Sequence, residues 1–259
     1  MFGLFRKKIP EARPSTGGRL VYAVGDVHGR LDLLGPLLRD IAEDALASQP
    51  AERPLLVMLG DYVDRGPDSK GVVDLLLEMK GYGRLETRTL KGNHEEALLR
   101  FLHDPMFGAT WLDNGGGPAL ASYGVQPPAS RTDPEAWAEA SAAFNAALPP
   151  AHREFFERLE LMTTVGDYAF VHAGVRPGVA IEDQAERDLL WIRQEFLQAP
   201  GPFGKVVVHG HTPAEEAQML KHRLGVDTGA YATGVLTAVR LEGEDQRLIQ
   251  QRARRPHAA

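Results

Sequence analysis

Residues 54–66 read PLLVMLGDYVDRG. The first half is a short run of Leu, Val and Met closed by Gly60, the pattern of a strand buried on both faces. The character changes at Gly60, after which Asp61, Asp64 and Arg65 follow in quick succession. In α/β sheets, sites form just beyond the carboxyl ends of strands, where such residues would stand. One junction of this kind is weak evidence, because Asp beside Gly is more often a turn residue.

The same junction recurs on both sides. Upstream, Arg19–Val24 (RLVYAV) runs into Gly25-Asp26-Val27-His28-Gly29. Downstream, Leu85–Leu90 (LETRTL) leads through Lys91 to Gly92-Asn93-His94-Glu95. Tyr168–His172 (YAFVH) ends in His172-Ala173-Gly174, and Lys205–His209 (KVVVH) in His209-Gly210-His211-Thr212. Nearly every polar residue at these ends is a hard or borderline metal ligand, and their repetition turns five weak signals into a strong one. In an extended segment residues i and i+2 point the same way, so Asp26 and His28 are expected to reach one metal ion together.

Between the strands lie helical patterns. Leu31–Ala47 has apolar residues at 31, 34, 37, 38, 41 and 45, with Pro36 either kinking the helix or marking its first turn. Further helices are expected at Val72–Met79, Glu95–His103 and Ala185–Leu197, and antiparallel strands over Leu224–Gln251. The fold class is therefore α/β (α+β), sheets flanked by helices. One domain is expected over 19–251, with 105–158, rich in Ala and holding Pro pairs at 127–128 and 149–150, as a mostly helical insertion over one edge of the site. Residues 1–18 and 252–259 read as tails. The first, 1–18, reads as disordered, with a short amphipathic anchor in Met1–Ile9 as the alternative.

Composition narrows the function. A 259-residue chain with 43% hydrophobic and 25% charged residues is ordinary for a globular protein, and a net charge of −6 argues against bulk binding to nucleic acid or anionic membrane. No stretch is long and apolar enough for stable membrane insertion. The absence of cysteine removes thiolate ligands and a cysteine nucleophile, and it fits a cytoplasmic location.

Taken in order, GDVHGR, GDYVDRG, GNHE, HAG and HGHT resemble the signature of the calcineurin-like metallophosphoesterases. More narrowly they resemble the PPP-type serine/threonine phosphoprotein phosphatases in their bacterial or bacteriophage form. The resemblance covers about residues 20 to 240. It implies a β-sandwich flanked by helices and two divalent ions, with manganese expected and iron or zinc also suited to mixed carboxylate, amide and imidazole ligation. It also implies that Asp26 and His28 hold the first ion, that Asp61 bridges, and that Asn93, His172 and His211 complete the second. Two such ions about 3.5–4 Å apart share and activate a water, so a bridging hydroxide would attack phosphorus directly, without a phosphoenzyme.

The same resemblance makes His94 the general acid for the leaving alkoxide, oriented by Asp64, with Arg65 a bidentate donor to the phosphoryl oxygens. Arg193 reads either as a second phosphate clamp or as a surface arginine. His209 reads as a residue behind the ligands, and Asp227 as a buttress or a turn residue. Glu95 is expected to cap its helix, and His103, His152, His222 and His257 to be surface or packing residues.

The expected substrate is a phosphorylated protein or peptide carrying phosphoserine or phosphothreonine, with phosphotyrosine also admitted. The main alternative is symmetrical diadenosine tetraphosphate hydrolysis. Those hydrolases typically have alanine where Asp64 stands and GNHD where this chain has GNHE. Thr212-Pro213 replaces the extra histidine of many phosphodiesterases, and Pro213 cannot ligate. A catalytically dead phosphoprotein-binding module should have lost ligands, and all six are present. The chain lacks the Ser-Ala-Pro-Asn-Tyr segment of the eukaryotic enzymes.

Overall fold

The structure, a computed structural model, describes residues 13–253; Met1–Ile9, His257 and most of the expected tails lie outside that range. Two five-stranded sheets form its centre. One has the order β10-β9-β1-β2-β3, from Leu20–Val24 (β1), Leu55–Met58 (β2), Glu86–Thr89 (β3), Val235–Glu242 (β9) and Asp245–Arg252 (β10). The other has the order β4-β5-β6-β8-β7, from Met162–Val165 (β4), Tyr168–Val171 (β5), Val206–His209 (β6), Gln218–Met219 (β7) and Arg223–Gly225 (β8). Parallel pairing joins β1 to β2, β2 to β3, β5 to β6 and β6 to β8, so the carboxyl ends of these strands gather at one pole.

The period of two along β1 explains the layering. Leu20, Tyr22 and Val24 face a core shared with the helices, while Val21 and Ala23 meet Tyr168, Phe170 and Val208 of the opposite sheet. Both faces are therefore buried, which is why the run shows no polar alternation. Truncating Phe170 in that inter-sheet layer to alanine should cost about 3–5 kcal/mol.

Helix α1 (Leu31–Ser48) and α2 (Ser69–Tyr82) cover the first sheet. Pro36 lies inside α1, beyond the first turn. Helix α3 is Asn93–His103, so Asn93 and His94 stand in its first turn and not in an extended loop. The 105–158 segment is helical, with a 3₁₀ turn at Pro105–Phe107 and helices α4 (Gly108–Asp113), α5 (Gly116–Ser122), α6 (Pro134–Ala147) and α7 (Pro150–Glu157). The expected Ala185–Leu197 helix is two short ones, α8 (Glu186–Trp191) and α9 (Gln194–Leu197). Arg193 breaks it, with φ −130° and ψ −100°. A last turn, α10 (Ala230–Thr233), precedes β9. Residues 13–18 pack against the body rather than trail from it: Asp167 N–H donates to Ser15 O and Thr16 N–H to Gly243 O. Among the described residues no helix is long and apolar enough to cross a membrane.

Candidate metal centre

The loop after β2 is folded tightly onto the start of α3. A Cβ at Gly60 would lie 2.6 Å from the Gly92 nitrogen, so only glycine fits there, at φ +101°. Non-glycine residues with positive φ among those described are His28, Gln49, Asp61, Asp64, Arg65 and His211, and all but Gln49 are sequence-predicted site residues. Backbone strain of this kind persists only where surrounding contacts hold it, and it is concentrated here. The left-handed His28 also means that Asp26 and His28 are not related by extended-strand geometry.

Glu95 supplies much of that hold. Its buried carboxylate accepts N–H bonds from Asp61 (2.8 Å), Tyr62 (2.8 Å), Val63 (3.3 Å) and Gly92 (2.9 Å). The Gly92 bond closes the N-terminus of α3, the capping role expected of Glu95, and the others fasten the Asp61 loop to that helix. Asp61 Oδ1 in turn accepts the His94 N–H at 3.1 Å.

Around Asp61 two sets of ligand atoms converge. One consists of His28, Asp61 and His94, the other of Asp61, His172 and His211, all buried. Asp61 Oδ2 lies 3.5 Å from His28 Nε2, and Asp61 Oδ1 lies 3.5 Å from His172 Nε2, so one carboxylate oxygen faces each set. Asn93 joins the second, with Oδ1 3.0 Å from His172 Nε2 and 2.8 Å from His211 Nδ1. Asp26 is buried behind these groups, both its oxygens 3.1 Å from the His211 N–H.

The donor chemistry fits a cation in each set. His172 Nδ1 is 2.9 Å from the Leu59 carbonyl and His28 Nδ1 is 2.8 Å from the Val63 carbonyl, so each Nδ1 carries the proton and each Nε2 a lone pair. His172 Nε2 then points its lone pair at the Asn93 oxygen, acceptor against acceptor, and His211 Nδ1 meets the same two atoms at 3.2 Å and 2.8 Å. Such convergence is costly unless a cation lies between the lone pairs. Burial makes protonation no remedy, pushing His28 down to about 3 and His211 down to about 2. Burial would raise the Asp61 carboxyl, but His172, His94 and His28 hold it well below the usual carboxylate range. Asp26 is pushed up by burial and by Asp227 beside it.

At the open side of the first set, Asp64 Oδ2 sits 2.6 Å from His94 Nδ1. Burial works against a charge on His94, yet Asp61 and the Asp64 contact prevail and raise its pKa. Arg65 N–H donates to the Gly115 carbonyl at 2.9 Å, and its guanidinium reaches 3.1 Å from His28 Nε2 and 3.0 Å from His94 Nε2. Arg193 is exposed at the joint of α8 and α9, and its charge disfavours protonation of His172 and His211. Asp227 makes a turn, with Oδ1 accepting the Gly229 N–H at 2.8 Å. His209 is buried, 3.3 Å from Arg223 Nη1, and His152 packs between Tyr123 and Asp74.

Three aromatic residues at the site escape sequence reasoning. Trp111, from the 105–158 segment, donates its indole N–H to Asp64 Oδ2 at 2.8 Å. Tyr231 stands edge-on to His28 and under the Arg65 guanidinium, 4.7 Å from ring centroid to Cζ. Trp191 lies beside His211, with its N–H on Glu96. Asn114-Gly115 after Trp111 signalled a turn, but nothing local signalled what it would touch.

Buried histidine and carboxylate sets beyond parallel strand ends, with an arginine at their mouth, define a metal-dependent phosphoesterase. The chain belongs to the calcineurin-like phosphoesterase family, whose profile matches residues 20–235. It is thus a hydrolase of a family that uses divalent metal ions, and its PPP-type phosphatase relatives are similar over most of their length. Serine/threonine-protein phosphatase 1 of Salmonella typhimurium is 28% identical over 233 residues, covering 86% of this chain and 93% of that protein. The PrpE bis(5'-nucleosyl)-tetraphosphatase [asymmetrical] of Anoxybacillus flavithermus is 24% identical, covering 84% of this chain and 88% of that protein. A solved structure provisionally described as a diadenosine tetraphosphatase superposes with TM-score 0.60 at 21% identity, covering 90% of this chain and 94% of that one, which supports the β-sandwich fold.

Proposed function

We propose that the chain is a phosphoprotein phosphatase, acting on phosphoserine and phosphothreonine and also accepting phosphotyrosine. The observation that carries this reading is the Asp64–His94 contact of 2.6 Å at the open edge of the first ligand set. A serine or threonine alkoxide is a strongly basic leaving group and needs a proton as the P–O bond breaks; an acid of raised pKa supplies it. Asp64 orients the ring through Nδ1, leaving Nε2 toward the substrate.

On this reading Asp26, His28 and Asp61 hold one divalent ion and Asp61, Asn93, His172 and His211 the other, manganese being our assignment for both. Bound there, the pair supplies a water of lowered pKa and positive charge for the phosphoryl oxygens. Arg65 turns from the histidine rings to those oxygens, offering two parallel N–H donors, and leaves His94 Nε2 free to carry its proton. Arg193 approaches from the side of His172 and His211 as a second clamp.

Dinucleotide tetraphosphate hydrolysis is the second reading, favoured by the PrpE relative, whose named cleavage is asymmetrical rather than symmetrical. Rates on a phosphothreonine peptide, a phosphotyrosine peptide and diadenosine tetraphosphate, measured side by side with manganese, separate the two. The phosphopeptides are expected to win. A large advantage for the dinucleotide would overturn the substrate assignment while leaving the phosphoesterase chemistry standing.

A further inference from the structure

At the pole opposite the metal centre, between α1 and α2, a cavity of about 900 Å³ opens on the surface. Its floor is apolar, built by Leu38, Leu75, Met79 and Leu85, and Pro54 closes the end where β2 begins. Leu46 stands at its edge 71% exposed, the largest exposure among the exposed large hydrophobics. Arg39, Arg53 and Arg84 surround it, with Glu52 the one acid in the lining.

Several of the chain's arginines are committed: Arg19 to Glu86, Arg88 to Glu160, Arg131 to Asp113, Arg176 to Asp188 and Arg240 to Asp44, whereas Arg187 and Arg193, like the three at this groove, have no such partner among the described residues. Among the described residues, the side chains of Arg39, Arg53 and Arg84 make neither an ion pair nor a hydrogen bond, on a protein whose net charge is −6. An apolar floor under uncommitted guanidinium groups asks for a ligand that is apolar on one face and carboxylate-bearing on the other.

Two occupants fail on charge. A second copy meeting this face through a two-fold axis would set arginine against arginine. The chain's own first residues carry apolar Phe2, Leu4 and Phe5 but also Arg6, Lys7 and Lys8, which would add cations to a cationic rim. We infer that the α1–α2 groove docks an amphipathic segment of a partner protein, its leucine-type side chains on the floor and its Asp or Glu residues on Arg39, Arg53 and Arg84. Lying at the far pole, the groove leaves the mouth of the metal centre clear while the partner is held.

The test uses the full chain and three fluorescein-labelled helical peptides. One carries Leu on one face and Glu on the other, one replaces Glu by Lys, and one replaces Leu by Ser. Anisotropy should show binding of the Leu/Glu peptide alone, weakening as salt rises. The Arg39→Glu/Arg84→Glu double variant should lower its affinity about tenfold or more. The same variant should keep its thermal melt and its turnover of para-nitrophenyl phosphate. Leu46→Asp should weaken binding in the same way. Equal binding of the Leu/Lys peptide, or an unchanged affinity in the double variant, overturns the proposal. So does a concentration-dependent dimer that Leu46→Asp dissolves, or tighter peptide binding after Phe2→Ser/Phe5→Ser, since either assigns the groove to another occupant.

Discussion

Trp111 donates its indole N–H to the same oxygen of Asp64 that takes His94 Nδ1, at 2.8 Å and 2.6 Å respectively. The other Asp64 oxygen is buried with no partner. The 105–158 segment thus fixes which oxygen His94 sees, and Gly115 of the same segment holds the Arg65 backbone. A carboxylate without the indole bond can rotate its second oxygen toward the ring.

Trp111→Phe keeps the ring and removes the donor, a bond to a charged group of about 1.5–3 kcal/mol. We expect kcat to fall about tenfold or more on phenyl phosphate, whose leaving group needs protonation. The fall on para-nitrophenyl phosphate should be much smaller, with KM little changed. Equal losses on both esters would show that Trp111 serves folding and not the orientation of His94.

Two variants should separate ligation from proton transfer. His94→Ala is expected to lower kcat about 10²–10⁴-fold with bound manganese retained, the range for loss of a general acid. Asp61→Asn removes the charge of the carboxylate whose two oxygens face one ligand set each, so it should lose metal content as well as rate. Metal equivalents after gel filtration distinguish them. If His94→Ala also loses an ion, His94 is a ligand, as its place in the first compact set would allow.

Glu95 is expected to matter for stability before it matters for rate. Glu95→Gln turns an amide NH₂ toward backbone N–H groups of Asp61, Tyr62, Val63 and Gly92, leaving some of them unsatisfied. We expect a loss of about 2–4 kcal/mol in urea unfolding of the metal-free protein. A change below about 0.5 kcal/mol would mean that the loop is held by other contacts.

Much of this centre was legible because its signals are local. Glycine, strand and candidate ligand lie adjacent in sequence at Asp26, Asp61, Asn93, His172 and His211, so strand ends and metal-binding residue types could be read together. What was missed is what comes from far along the chain or turns on backbone conformation. Trp111 meets Asp64 from 47 positions away and Tyr231 reaches His28 from β9's threshold. The extended geometry assumed for Asp26–His28 failed because His28 is left-handed. Strand β7 escaped because a two-residue edge strand carries no periodicity.

His152 should make stability fall in mild acid. It is buried between Tyr123 (2.8 Å) and Asp74 (2.9 Å), and burial lowers its pKa despite the carboxylate. The sign follows: the unfolded chain takes up the proton near pH 6.5 while the folded one resists, so stability is full above that value and drops as pH falls toward the folded pKa. His152→Gln can keep both hydrogen bonds and does not titrate. Its urea midpoint should therefore change less than that of the parent between about pH 7.5 and about pH 5.5. An identical slope in both proteins would mean that His152 contributes nothing to the acid loss.

On the proposed reading, Arg193 holds the phosphate on the second side. Its backbone leaves helical geometry between α8 and α9, which places the side chain at the surface near His172 and His211. Among the described residues it has no ion-pair partner, so its charge is uncommitted. If it clamps phosphate, Arg193→Ala should weaken product inhibition by inorganic phosphate and lower kcat/KM together, about 10–100-fold for loss of a charge-assisted contact. Arg193→Lys should recover part of the phosphate affinity but less of the rate, because an ammonium restores charge without the planar pair of donors. Metal content should stay unchanged in both. A surface role predicts no effect on any of the three, so unaltered phosphate inhibition in Arg193→Ala would leave Arg65 as the single arginine on the phosphoryl group.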